Sequence, residues 1–141
     1  MNKMQMALRD LRIIHGVMLV SVPLYMLVIF QVHPREGHLF PAMPGALAVL
    51  SVTEIAVALF LRARLLTPCM EILRSNPDDA QALGRWRTGN IVSFTLAESV
   101  ALFGFFLKFM GASWFVAGPF FATAIFLLLI WTPRLDLPSQ T

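Results

Sequence analysis

Four stretches of the chain carry almost no charge, and the charged residues fall between them. Residues 13–32 and 109–133 contain no Asp, Glu, Lys or Arg. Residues 37–61 and 88–107 contain one each, Glu54 and Glu98. A helix needs roughly 20 apolar residues to cross the hydrocarbon core of a bilayer. All four stretches qualify, which predicts an all-α integral membrane four-helix bundle built as two transmembrane hairpins. The expected spans are 13–32, 42–63, 88–108 and 114–132, with a cytoplasmic loop at 64–87. They use nearly all of residues 1–141, so a single four-span domain is expected.

Proline, glycine and polar residues set the expected boundaries. Pro23 lies inside the first span, removes a helix hydrogen bond and predicts a kink near residues 19–23. The run from His33 to His38 breaks the apolar pattern and reads as an external loop. Pro44 suits the first turn of the second helix, which is expected to run to about Leu66 and stop before Pro68. Residues 69–74 read as one helical turn. Asn76 or Ser75 is the expected N-cap of a helix from Pro77 to about Phe109, with Asp78 and Asp79 at the positive end of its dipole. Residues 110–113, with Gly111, read as a tight turn. The fourth helix is expected from Trp114 to Trp131, ended by Pro133. Trp86 and Trp131 are expected at one membrane interface and Trp114 at the other.

Composition agrees with the pattern. The 141 residues are 57% hydrophobic and 13% charged, against about a quarter charged in a soluble domain; the mean hydropathy is +0.72. The net charge of +3 does not point to nucleic acid, because the charges are sorted by loop. Lys3, Arg9, Arg12, Arg62, Arg64, Arg74, Arg85, Arg87 and Arg134 fall on one side of the expected topology, and Arg35 and Lys108 on the other. The positive-inside rule then puts both termini and the middle loop in the cytoplasm, in a bacterial-type inner membrane. The basic start and apolar first span resemble a signal peptide in outline. The run is too long for a usual signal core and lacks a convincing cleavage site, so the span is expected to be retained.

The chemistry-bearing residues are few. Glu54 lies about eleven residues into the second helix from outside, and Glu98 about eleven into the third from inside. At roughly 1.5 Å per residue both reach the bilayer midplane. Intramembrane acids mark ion or proton paths by default; facing each other, the pair would share a proton. The alternative is that each is hydrogen-bonded glue between helices. Tyr25, in the apolar interior of the first span, needs a partner, and a carboxylate on a neighbouring helix is a candidate. Glu54, Glu98 and Tyr25 are therefore the ion- or proton-handling candidates. Gly89, Ser93, Ala97 and Ala101 recur every four residues, as do Gly118 and Ala122, a spacing that lets helix backbones approach closely. Phenylalanines on the opposite flanks of the same two helices suit lipid contact and packing.

Other chemistry finds little support. The histidines cannot supply two haem ligands at matched depth, since His15 alone lies in a span. A metal site from His33, Glu36 and His38 is less apt than plain loop polarity, and Cys69 is a lone thiol. There is no Ser/His/Asp set, phosphate-binding glycine loop or cysteine pair. No enzyme activity, metal or cofactor is expected.

Residues 85–104, RWRTGNIVSFTLAESVALFG, carry two resemblances. With Arg87, Thr88, Glu98, Ala101, Leu102, Phe103 and Pro133, and with His15 in the opening helix, the chain resembles small uncharacterised four-span bacterial membrane proteins. That resemblance covers most of the chain and implies no activity. Glu98 followed by Phe103 and Gly104 resembles the midplane glutamate of ATPase rotor-ring proteolipids, which implies ion handling in a ring. The glycine-repeat helices of proteolipids are missing, Glu98 is on the third helix rather than the fourth, and the expected orientation is opposite. The expected function is a non-enzymatic membrane subunit, partnered by lipid and by other subunits or copies of itself, that handles protons or cations through its glutamates. The alternatives are a purely structural accessory subunit and a small homodimeric transporter or channel.

Overall fold

The computed structural model describes residues 3–32 and 40–133. Among these the chain is all-helical, in the order α1 (Lys3–Val32), α2 (Met43–Leu61), a π-helical turn (Arg62–Leu66), α3 (Thr67–Ser75), α4 (Ala80–Phe109) and α5 (Trp114–Ile130). Three helices are long and apolar enough to cross a membrane: α1, the continuous run Met43–Ser75, and α4. Helix α5 is apolar throughout, but its 17 residues rise about 26 Å, short of the ~30 Å hydrocarbon core.

The burial pattern is that of a protein solvated by hydrocarbon. Ile13, Val17, Val20, Leu24 and Leu27 are exposed on α1, as are Val49, Val52, Leu59 and Phe60 on α2 and Phe115, Phe126 and Leu129 on α5. Apolar surface on this scale is not sustained in water. The buried side chains include small and polar ones: Ser51, Ala58, Asn90, Ser93, Ala97, Ala101, Ala117 and Ala124. In lipid, helices gain little by hiding leucine. They gain by close backbone approach and by internal hydrogen bonds.

Helix α4 is central and packs against α1, α2, α3 and α5. Asp10 pairs with Arg87, the His15 ring lies tilted against Phe94, and Ser21 and Tyr25 reach Glu98. Residue numbers rise together along both helices, so α1 and α4 are parallel. Leu66 meets Gly89 while Glu54 meets Ser99, so α2 runs antiparallel to α4. Phe30 stacks on Trp114 while His15 meets Leu128, so α5 runs antiparallel to α1. Helices α4 and α5 form a packed hairpin, whereas α1 and α2 share no extensive contact. Helices α1 and α2 thus run antiparallel to each other, and α4 lies between them with polar contacts to both.

Two boundaries differ from expectation. The second helix does not stop before Pro68. It widens into the π turn and continues as α3 to Ser75, with Pro68 in the first turn of α3. A proline there lacks only an N–H whose partner the widened turn has already displaced. The third long helix begins at Ala80 rather than Pro77. Asn76–Asp79 forms a turn closed by Asp79 N donating to Asn76 O at 3.2 Å, with Pro77 at its favoured second position. Asp79 is the N-cap, its Oδ1 accepting from Ala82 N at 2.8 Å. At the other end of α4, Ala112 N donates to Leu107 O and Gly111 N to Lys108 O. This doubly bonded helix stop needs a left-handed residue, and Gly111 supplies it with φ 94°. Helix α1 runs through Pro23 and α5 through Pro119 without ending. Trp86 is buried under the helices around it rather than facing outward.

Candidate functional site

The carboxyls of Glu54 and Glu98 sit at one level of α4 and face different neighbours. Glu98 lies on the α1 side of the helix. Its Oε1 is 2.7 Å from Ser21 Oγ and 2.7 Å from Tyr25 Oη, both of which donate to it. Ser21 and Tyr25 are one turn apart on α1, so both hydroxyls face the same carboxyl. Glu54 reaches α4 from α2, where Ser99 Oγ donates to its Oε2. Residues 98 and 99 are consecutive, so they project about 100° apart around α4. Between the two arms, Thr95 and Leu102 of α4 are exposed and α1 does not close onto α2. The carboxyls therefore flank an open strip of α4, both half-buried. Among the described residues no hydrogen bond joins Glu54 to Glu98; within one chain they are parallel sites rather than a shared-proton dyad.

Each site has the same second layer. Ser21 Oγ is also 2.7 Å from Met18 O, and Ser99 Oγ is 2.8 Å from Leu96 O. A hydroxyl has one hydrogen to donate and lone pairs to accept. When the carboxyl is ionised, the serine donates to it. When the carboxyl carries a proton, it donates to the serine, and the serine turns its hydrogen to the backbone carbonyl three residues back. One set of heavy-atom positions serves both protonation states.

The chain matches no family model, no curated protein and no solved structure.

The small residues divide by face. Gly89, Ser93, Ala97 and Ala101 are all buried on α4. A Cβ at Gly89 would lie 3.0 Å from Leu66 Cδ2, so this glycine seats the π turn. On α5 the buried small residues are Ala117 and Ala124, not Gly118 and Ala122: a Cβ at Gly118 would meet nothing within 4 Å, and Ala122 is exposed. Among the described glycines the tightest contact is at Gly104, one turn beyond Ala101. A Cβ there would lie 2.9 Å from Phe120 Cβ and 3.1 Å from Ala117 O. The four-residue ladder steps past this position because the contacting face drifts by three, a shift legible in the buried series Ala97, Val100, Ala101, Gly104.

The serines were the missed partners. Each lies in an apolar stretch, and Ser99 directly follows Glu98, which is the signal the sequence offers. His15 is also tied across helices, donating from Nε2 to Leu128 O at 2.7 Å, with its ring 5.0 Å from Phe94. Leu128 is in the last turn of α5, where carbonyls lack an intrahelical partner. Among the described residues no group of three His, Cys, Asp or Glu could hold a metal ion. The loop candidates His33, Glu36 and His38, and the C-terminal Arg134, lie outside the described residues.

Proposed function

We propose that the chain is a non-enzymatic subunit of the cytoplasmic membrane, oligomeric or part of a larger complex, in which Glu54 and Glu98 take up and release protons. The supporting observation is the doubled arrangement of carboxyl, serine hydroxyl and backbone carbonyl. It lets each acid change protonation with no change in heavy-atom positions, which suits a carrier of protons better than a static tie. The open strip between the two acids faces outward, where a second copy or a partner helix would complete the site. Lys3, Arg9, Arg12, Arg62, Arg64, Arg74, Arg85 and Arg87 lie toward the end shared by the start of α1, the far end of α2 with α3, and the start of α4. That end is assigned to the cytoplasm by the excess of positive charge.

A specific observation favours the alternative of a purely structural accessory subunit. Glu98 accepts from two hydroxyls of α1 and fastens that helix to α4. The readings part under dicyclohexylcarbodiimide, a reagent for protonated carboxyls in apolar surroundings. Proton handling predicts covalent labelling at Glu54 or Glu98, slower as pH rises. It also predicts loss of proton flux in reconstituted vesicles of the purified assembly carrying Glu54→Gln or Glu98→Gln while the assembly stays intact. Absence of labelling at acidic and neutral pH, with unchanged flux in both variants, refutes it.

A further inference from the structure

Helices α2 and α5 stand apart over α4, and the groove between them is apolar. Ala48, Val52 and Ile55 form one wall, Phe120 and Thr123 the other, and Val100 the floor, around a volume of about 200 Å³. That is room for roughly seven methylenes, each close in size to a water at ~30 Å³. A helix about 10 Å across does not fit such a slot; a single hydrocarbon chain does.

A charged residue lies beyond one end of the groove. Ile55 and Arg62 are seven residues apart on one run of helix, and Thr123 and Trp131 are eight apart on and just beyond α5, so each pair shares a face. Arg62 and Trp131 meet at the end of these two faces, with the guanidinium carbon 5.1 Å from the ring centroid. Arg62 Nη1 is buried and has no hydrogen-bond partner, and Arg62 forms no ion pair among the described residues. It sits at the first residue of the π turn, a distortion frequent at functional sites. A buried guanidinium nitrogen without an acceptor is costly, and the guanidinium fork is suited to phosphate oxygens. From Ile55 to Arg62 is about 10 Å, the separation of a headgroup from the upper part of its own acyl chain.

We infer that the α2–α5 groove binds one anionic phospholipid, with an acyl chain along Ala48, Val52, Ile55 and Phe120 and its phosphate at Arg62. The site is separate from the two glutamates and stands whether or not they carry protons. Anionic lipid at the basic end also matches the electrostatics of that membrane face.

The test is native mass spectrometry of the full-length protein from micelles doped equally with phosphatidylglycerol and phosphatidylcholine. The unmodified chain retains one phospholipid, mainly the anionic one. Arg62→Gln lowers that preference by roughly tenfold, the worth of one charge-assisted contact. Ala48→Phe, at an exposed position that disturbs no buried contact, fills the groove and lowers retention of both lipids. Retention equal in all three proteins overturns the inference. So does full competition by inorganic phosphate, which would make the site an anion site without a lipid groove. A change in oligomer mass in Ala48→Phe with lipid retention unaltered also overturns it, since the groove would then seat a second copy.

Discussion

Helices α1 and α2 both dock on α4, and they are held in different ways. Helix α1 is joined along its length: Asp10 to Arg87 near its start, His15 to Leu128 O one turn on, Ser21 and Tyr25 to Glu98 at its middle, Phe30 on Trp114 near its end. These contacts reach both α4 and α5, so three helices lock one another. Among the described residues helix α2 has a single polar side-chain tie to α4, Glu54 to Ser99, and meets it otherwise through apolar packing, with Ser51 and Ala58 buried and Leu65 and Leu66 of the following π turn seated against Gly89. Its outer face and the groove toward α5 are left to lipid. A helix with one polar tie has fewer directional contacts fixing its rotation than one with several. The Glu54 carboxyl accepts from one side chain, while Glu98 accepts from two.

The largest expected effect lies at the α4–α5 contact, where the rigid side is built. Gly104→Ala places a Cβ 2.9 Å from Phe120 Cβ and 3.1 Å from a backbone oxygen. Neither is the yielding tip of a flexible side chain, so the helices must separate. Gly16→Ala, on α1, meets nothing within 4 Å. Both substitutions gain the same helix propensity, so their difference isolates packing. Gly104→Ala is expected to be less stable than Gly16→Ala by roughly 1–3 kcal/mol, read from unfolding in mixed micelles with sodium dodecyl sulfate. Equal stabilities would mean that α4 and α5 are not in close backbone contact.

The contrast between Gly104 and Gly118 also marks how much the sequence discloses. Length and hydropathy are summed over whole segments, so the helices and the level of Glu54 and Glu98 could be read before any contact was known. Which way a side chain faces depends on helix rotation, and a uniformly apolar helix such as α5 gives no polar face from which to infer it. Gly118 and Ala122 are marked by spacing alone, whereas the buried small residues of α5 are Ala117 and Ala124. Pro68 misled for a different reason: its usual effect is to end a helix, and a π turn is a property of the hydrogen-bond ladder that no residue announces. Glu98 pointed toward Tyr25 because a buried phenol needs an acceptor. The serines were overlooked because a serine within a helix can satisfy itself on its own backbone, as Ser93 does with Gly89 O.

A middle-sized effect separates the two acids. Glu98→Leu removes the acceptor for Ser21 and Tyr25 together and is expected to cost about 1–2 kcal/mol, the upper part of the range for interhelical hydrogen bonds in membranes. Glu54→Leu removes one bond from the loosely held helix and is expected to cost about 0.6 kcal/mol. Tyr25→Phe added to Glu98→Leu should cost nothing further, because both act through one contact and their effects do not add. The same unfolding titration reads all three. Costs that are equal for the two glutamates, or additive for Tyr25 and Glu98, would erase the distinction between a rigid and a loose side.

The smallest effect tests where the rigidity of α1 resides. Asp10 and Arg87 are 3.7 Å apart with side chains 40% and 47% exposed, at the end of the molecule where water and headgroups screen charge. An exposed pair of this kind contributes about 0.2–1 kcal/mol and weakens with salt. Asp10→Asn is therefore expected to lower stability by at most about 0.5 kcal/mol at low ionic strength and by nothing measurable at high ionic strength, in the same micelles. His15→Phe keeps the ring against Phe94 but leaves Leu128 O without its donor, and should cost about 1 kcal/mol at either ionic strength. If Asp10→Asn proved the more damaging of the two, α1 would be held by its surface pair rather than by its buried ties. The case for Glu98 as the fixed carboxyl would then lose its footing, since its neighbours would be no more constrained than those of Glu54.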